Sequence, residues 1–149
     1  LDPDQASIDR ARAASGDVER VRFVAASTST FDAGEGFDLI TACDCIHDMA
    51  APSRVVSDMK RLLKPGGTLF VVEPLAGDTV ADNSNSIGTM FYGFSLFHCM
   101  TQSLAASGAG LGACMGPARM RTLLNDAGFS DVQQVDIRSP TNMFYAAKV

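Results

Sequence analysis

Apolar positions in this chain change their period from segment to segment, and the changes mark out elements. Ile8 and Ala11 share a face over residues 5–14, where the spacing predicts a helix with Asp4 as its N-cap. Val21–Ala25 reads as a short strand, and Asp32–Gly36 as a turn rich in Gly and Asp. Phe37–Cys43 is the next strand. Pro52 suits the first turn of a helix running to about Leu63, with Val55, Met59, Leu62 and Leu63 at helical spacing. Lys64-Pro65-Gly66-Gly67 reads as a turn into a strand at 68–73, apolar on both faces as in a strand covered on both sides.

The second half ends differently. Pro117 opens a helix that places Met120, Leu123, Leu124 and Ala127 on one face, with Gly128 at its C-cap. Val132–Ile137 and Met143–Val149 read as strands joined by Ser139-Pro140-Thr141-Asn142. A connection that short permits only antiparallel pairing. The order predicts an α/β fold, with a mostly parallel sheet closed by a C-terminal antiparallel hairpin. Such a closing differs from a nicotinamide-binding domain, which continues strand-helix-strand.

Two strands end in polar groups. The run from Phe37 continues into His47-Asp48, and the run from Thr68 ends at Glu73. Open parallel sheets carry their chemistry just past the carboxyl ends of their strands.

A chain of 149 residues fits one domain with a sizeable core. The formal net charge of -5 disfavours nucleic acid and anionic membranes as partners. No apolar run reaches the roughly 18–20 residues of a membrane span, and no signal peptide is visible. Cys43, Cys45, Cys99 and Cys114 form no CxxC pair, which fits reduced thiols and a cytoplasmic location. Asp82 and Arg119 bracket a stretch without Asp, Glu, Lys or Arg, rich in Met, Phe, Gly and Ser. Residues 83–118 are therefore expected to pack on another domain or protomer, to cover an apolar substrate, or both.

Four segments together resemble a known family. They are Asp2-Pro3-Asp4-Gln5-Ala6-Ser7-Ile8-Asp9-Arg10-Ala11-Arg12, Phe37-Asp38-Leu39-Ile40, Arg61-Leu62-Leu63-Lys64-Pro65-Gly66-Gly67 and Asn125-Asp126-Ala127-Gly128-Phe129. In this order they resemble the class I S-adenosylmethionine-dependent methyltransferases from the second strand to the C-terminus. The resemblance implies a Rossmann-like three-layer sandwich. Ile46-His47-Asp48, followed by a strand ending in Glu73, looks most like the small-molecule O-methyltransferases. Those enzymes usually add an N-terminal winged-helix dimerisation domain, so homodimerisation through such a domain is a further implication. The implied acceptor is a small molecule, and the uncharged segment favours an apolar or aromatic one.

The resemblance also implies roles. Asp2 holds the position of the acidic residue that accepts the cofactor's ribose hydroxyls; alone it would pass for a solvated terminal residue. Ser27 and Thr28 stand where many relatives carry an acid near adenine, and their hydroxyls bond without charge assistance. Cys43 and Asp44 end a strand and are expected to face the cofactor, although Cys43 also suits a small buried position. His47 is the candidate general base for an acceptor hydroxyl, with Glu73 orienting the imidazole. The plainer alternative is that His47 caps a helix or packs under a lid.

Two rival readings differ in class. Cys43, Cys45 and His47 alternate, so on a continuing strand they would share a face and form a metal or redox site with His98, Cys99 or Cys114. The other rival is a non-catalytic or regulatory member of the fold. No glycine-rich cofactor loop precedes Asp2, and Gly108-Ala109-Gly110-Leu111-Gly112 lies too far downstream to serve as one. The chain is accordingly expected to be part of a longer protein, with a vacant strand position beside 37–43. Alone it should fold poorly or keep a gap in its sheet, and bind cofactor weakly. A cooperative thermal melt together with micromolar cofactor affinity would overturn this expectation.

Overall fold

A four-stranded mixed sheet organises the larger part of the chain. In this computed structural model, residues 1–16 and 18–149 are described. They form two compact units, Leu1–Gly34 and Glu35–Val149.

In the first unit, helix α1 (Gln5–Ser15) starts where the Asp4 carboxylate accepts the Ala6 and Ser7 amides. This is the expected N-cap, and it satisfies donors that have no partner inside the helix. Ile8 is the buried residue of α1. The expected strand at Val21–Ala25 does not form a ladder. It is reduced to one parallel bridge between Asp2 and Ala25, with Asp2 N donating to Val24 O and Ala26 N to Asp2 O. The chain turns at Asp4 into α1, so only Asp2 is left in register to pair.

The second unit has sheet order β1-β2-β4-β3. Strand β1 (Phe37–Cys43) has the expected bounds and pairs in parallel with β2 (Leu63–Pro74). Strands β3 (Ser130–Val135) and β4 (Asn142–Lys148) form the expected antiparallel hairpin, and β4 also pairs antiparallel with β2. The Lys64-Pro65-Gly66-Gly67 stretch is not a free turn. It is extended within β2, which starts at Leu63. Phe37 pairs with Leu63 and Leu39 with Thr68, so two steps along β1 stand against five along β2. Gly66, at φ 78°, absorbs the resulting bulge.

Alternate residues of β2 and β4 face opposite sides of the sheet. Leu69, Val71, Met143, Tyr145 and Ala147 join one core with Val56 and Met59 of α2 (Pro52–Leu62) and Met120, Leu123 and Leu124 of α5 (Gly116–Asp126). On the other face Phe70 stacks on Phe144. Helix α5 ends in a Schellman turn: Gly128 N donates to Asn125 O and Phe129 N to Leu124 O. Gly128 has φ 83°, as its expected capping role requires.

The charge-free segment folds as α3 (Ser86–Phe94), a π-turn (Ser95–Cys99) and α4 (Met100–Ala105). It leaves Phe94, Leu96 and Phe97 exposed, Phe97 at 82%. Among the described residues β1 has β2 as its ladder partner and forms a sheet edge, with Leu39 56% exposed. No helix of the described residues is long and apolar enough to cross a membrane.

Burial predicts the response to truncation. Leu69→Ala empties a fully buried site and should lower unfolding free energy by about 3 kcal/mol. Leu39→Ser on the exposed edge should change it by less than about 0.5 kcal/mol. Urea unfolding of both variants checks this, and equal losses would contradict the assigned core.

Candidate active site

Where β1 and β2 end side by side, the chain departs from regular structure. Cys43 pairs with Val72, and Asp44 N still donates to Val72 O at 2.8 Å. Asp44 then adopts φ 47°, a left-handed conformation that ends the strand. A single 3₁₀ turn, Ile46–Asp48, follows, and it carries His47 inward. The alternation of Cys43, Cys45 and His47 is therefore broken. Cys43 is exposed, Cys45 half-buried and His47 buried, so the shared face needed for the metal or redox reading does not exist. Burial, with the charges of Glu73 and Asp48, also pushes the Cys45 thiol up to about 12, so it stays protonated at neutral pH.

Glu73, the penultimate residue of β2, is fully buried. Its Oε2 lies 2.5 Å from His47 Nδ1, and its Oε1 accepts the Ile46 amide at 3.0 Å. Each carboxylate oxygen thus meets one N–H donor. Burial is the largest influence on His47 and pulls its imidazole down. The Glu73 hydrogen bond and charge, with the charges of Asp48 and Asp44, outweigh it, and the group is raised above its ordinary 6.5. Burial raises Glu73 as well, against the pull of His47 and the Ile46 amide. Both groups thus favour holding a proton, and one proton lies between them. With Glu73 ionised, that proton sits on Nδ1 and is donated to Oε2, beside the Ile46 amide on Oε1. Nε2 is then the ring nitrogen left to accept a proton.

The remaining candidates are placed as follows. Asp44 is exposed, and Asn142 Nδ2 donates to both its oxygens at 2.9 and 3.1 Å. Nothing in the sequence pattern reveals Asn142, which is 98 residues away. In the first unit, the Asp2 carboxylate accepts the Asp4 amide at 2.8 Å. The Asp2–Ala25 bridge brings the segment leading to Ser27 and Thr28 alongside it, and Ser27 Oγ shares hydrogen bonds with Ser29 and Thr30. No group of three or more His, Cys, Asp or Glu among the described residues is arranged to hold a metal ion.

Solved structures share this architecture. The CMeT domain of the citrinin polyketide synthase aligns over 98% of this chain and 37% of its own, at 16% identity and a TM-score of 0.69. Human N-acetylserotonin methyltransferase, solved in complex with SAM, aligns over 95% and 37%, at 21% identity and a TM-score of 0.66. An O-methyltransferase family protein from Burkholderia thailandensis aligns over 87% and 36%, at 22% identity and a TM-score of 0.60. The fold is that of the Rossmann-like methyltransferases. A family model described as a methyltransferase domain matches residues 1–71, a stretch that includes His47 but not Glu73. In sequence, the PKS-NRPS hybrid synthetase cheA of Chaetomium globosum is 29% identical over 108 residues, which are 72% of this chain and 2% of that protein. The chain thus spans well under half the length of these relatives.

The buried His–Glu pair has a definite pH signature. Both partners have folded-state values above their ordinary ones. The folded pair therefore binds more protons than the unfolded chain, and stability falls as pH rises. The His47 contribution is fully present below its unfolded value and is lost as pH climbs through the raised folded value. Glu73→Gln leaves one N–H donor facing an amide NH₂, should cost about 1–3 kcal/mol, and should flatten this slope. Denaturant midpoints between pH 5 and 9 check it; parallel profiles for the two proteins would refute the pairing.

Proposed function

We propose that this chain carries the acceptor side of an S-adenosylmethionine-dependent methyl-transfer site, with His47 as general base and Glu73 as its orienter. The observation that carries the reading is the buried His47–Glu73 pair at the carboxyl ends of adjacent parallel strands. When bound, the cofactor supplies a methyl group already activated on a sulfonium centre. Residues of the first unit suit its nucleoside part. Asp2 offers a carboxylate for a ribose diol, and Ser27 and Thr28 offer hydroxyls toward adenine, from a segment bridged to Asp2. Cys43 and Asp44, at the end of β1, are assigned to the cofactor side.

The protein's own part is proton handling and alignment. Glu73 fixes the tautomer, so Nε2 is the nitrogen that takes the acceptor's proton while the oxygen gains the methyl group. The same pair stabilises the imidazolium that results. Below the raised value of His47 the base is already protonated, so turnover should rise with pH through that value. The 83–118 segment, with Phe94, Leu96 and Phe97 exposed, suits a cover for an apolar or aromatic acceptor. The four cysteines are free, which fits the reducing cytoplasm.

A second reading concerns the acceptor atom. The similarity to a PKS-NRPS hybrid synthetase and to the CMeT domain of a polyketide synthase supports a domain within a larger synthase, and a carbon acceptor there would have to lie next to a carbonyl, which acidifies its proton. His47 would then remove the carbon-bound proton and the resulting enolate carbon would take the methyl group. The need for a base is stronger there than for a hydroxyl.

The test is methyl transfer to two probes, a simple phenol and a β-ketothioester, with S-adenosylmethionine as donor. His47→Ala should reduce turnover about 10²- to 10⁴-fold while cofactor affinity stays within about twofold. Undiminished turnover in His47→Ala would remove the base from the mechanism, and the probe that is methylated decides between the two acceptors.

A further inference from the structure

The proton-handling steps leave Gly108-Ala109-Gly110-Leu111-Gly112 without a role. In the fold this loop lies against the segment that carries His47. The Gly112 amide donates to the His47 carbonyl at 3.1 Å, and the Ala109 amide to the Ala50 carbonyl at 3.0 Å. Ser103, fully buried, donates its hydroxyl to the Met49 carbonyl at 3.0 Å. The same hydroxyl accepts the Gly110 amide at 3.0 Å. Three of the four carbonyls from His47 to Ala50 are thus held by residues 103–112.

The contact needs glycine. A Cβ on Gly112 would collide with Ser95 Oγ, and one on Gly108 with the Ala50 backbone. Gly112 also has φ 72°, which side chains rarely adopt. Nothing local replaces this support. The 3₁₀ turn that bears His47 has three residues and no side-chain cap, and so short a turn does not hold its own geometry. Glu73 grips the turn from the sheet side through the Ile46 amide and the imidazole. The strap grips the carbonyls.

We propose that the 103–112 strap sets the orientation of His47, with Ser103 and Gly112 as positioning residues for the base. The inference rests on His47 acting as that base. It gives the charge-free segment a second duty beside covering an acceptor: it is the backing against which the imidazole is aimed. Displacement of a catalytic group by about 1 Å can cost on the order of a hundredfold in rate, so backing of this kind has consequences for turnover.

The experiment reads the imidazole rather than turnover. The chain has two histidines, His47 and His98, so His98→Gln leaves His47 as the single ring signal in NMR. In that background, Ser103→Ala should move the His47 titration toward the ordinary value and speed exchange of its Nδ1 proton about tenfold or more. Ser103→Thr, which keeps the hydroxyl, should restore both. In the unaltered chain, native-state hydrogen exchange should show the Gly112, Ala109 and Ile46 amides opening together. Two results would overturn the proposal. One is a His47 titration and Nδ1 exchange unchanged by Ser103→Ala, whatever the loss in melting temperature. The other is Gly112 and Ala109 exchanging freely while Ile46 remains protected. Neither readout requires turnover, so a fully active His47→Ala would sink the base assignment without deciding these measurements.

Discussion

A single buried carboxylate organises the functional end of this protein. Glu73 has no exposed surface, and an ionised group in that position is strongly unfavourable unless hydrogen bonds replace its water. The chain supplies two donors, the Ile46 amide and His47 Nδ1, one for each oxygen. Meeting that requirement ties the end of β2 to the first turn after β1. With the carboxylate ionised it also selects the imidazole tautomer, with the proton on Nδ1. Fold and chemistry meet at one interaction between residues on neighbouring parallel strands.

The rest of the second unit makes that interaction possible. Core residues of α2, α5, β2 and β4 pack against one sheet face and fix the height at which β2 ends. The parallel register sets Cys43 beside Val72, so the residues beyond each strand emerge together. From outside, the strap at 103–112 takes the carbonyls of the turn. His47 therefore lies between a carboxylate that orients its ring and a glycine-rich loop that holds its backbone.

Much of this was legible in the sequence because it depends on local periodicity and turn chemistry. The bounds of β1, the Asp4 cap, the Gly128 stop and the antiparallel hairpin follow from spacing and residue type alone. The failures are those of non-local context. Val21–Ala25 has strand composition, but only Asp2 lies in register to pair with it. Lys64-Pro65-Gly66-Gly67 has turn composition, yet it lies within β2 as a bulge between the Phe37–Leu63 and Leu39–Thr68 pairs. The alternation of Cys43, Cys45 and His47 is real in the sequence and broken in space by the left-handed Asp44.

The sequence by itself determined the class of fold and offered His47 and Glu73 as candidates, since His past one strand end and Glu at the next are visible as types and positions. Tertiary structure alone decided that they touch, that the carboxylate is fully buried, that Asn142 holds Asp44, and that the 103–112 strap takes the carbonyls of the turn bearing His47. The reason is physical. Periodicity reports which face of an element is apolar. Desolvation and hydrogen-bond partnership depend on groups brought together across 26 to 98 residues of chain, and no local pattern encodes those meetings.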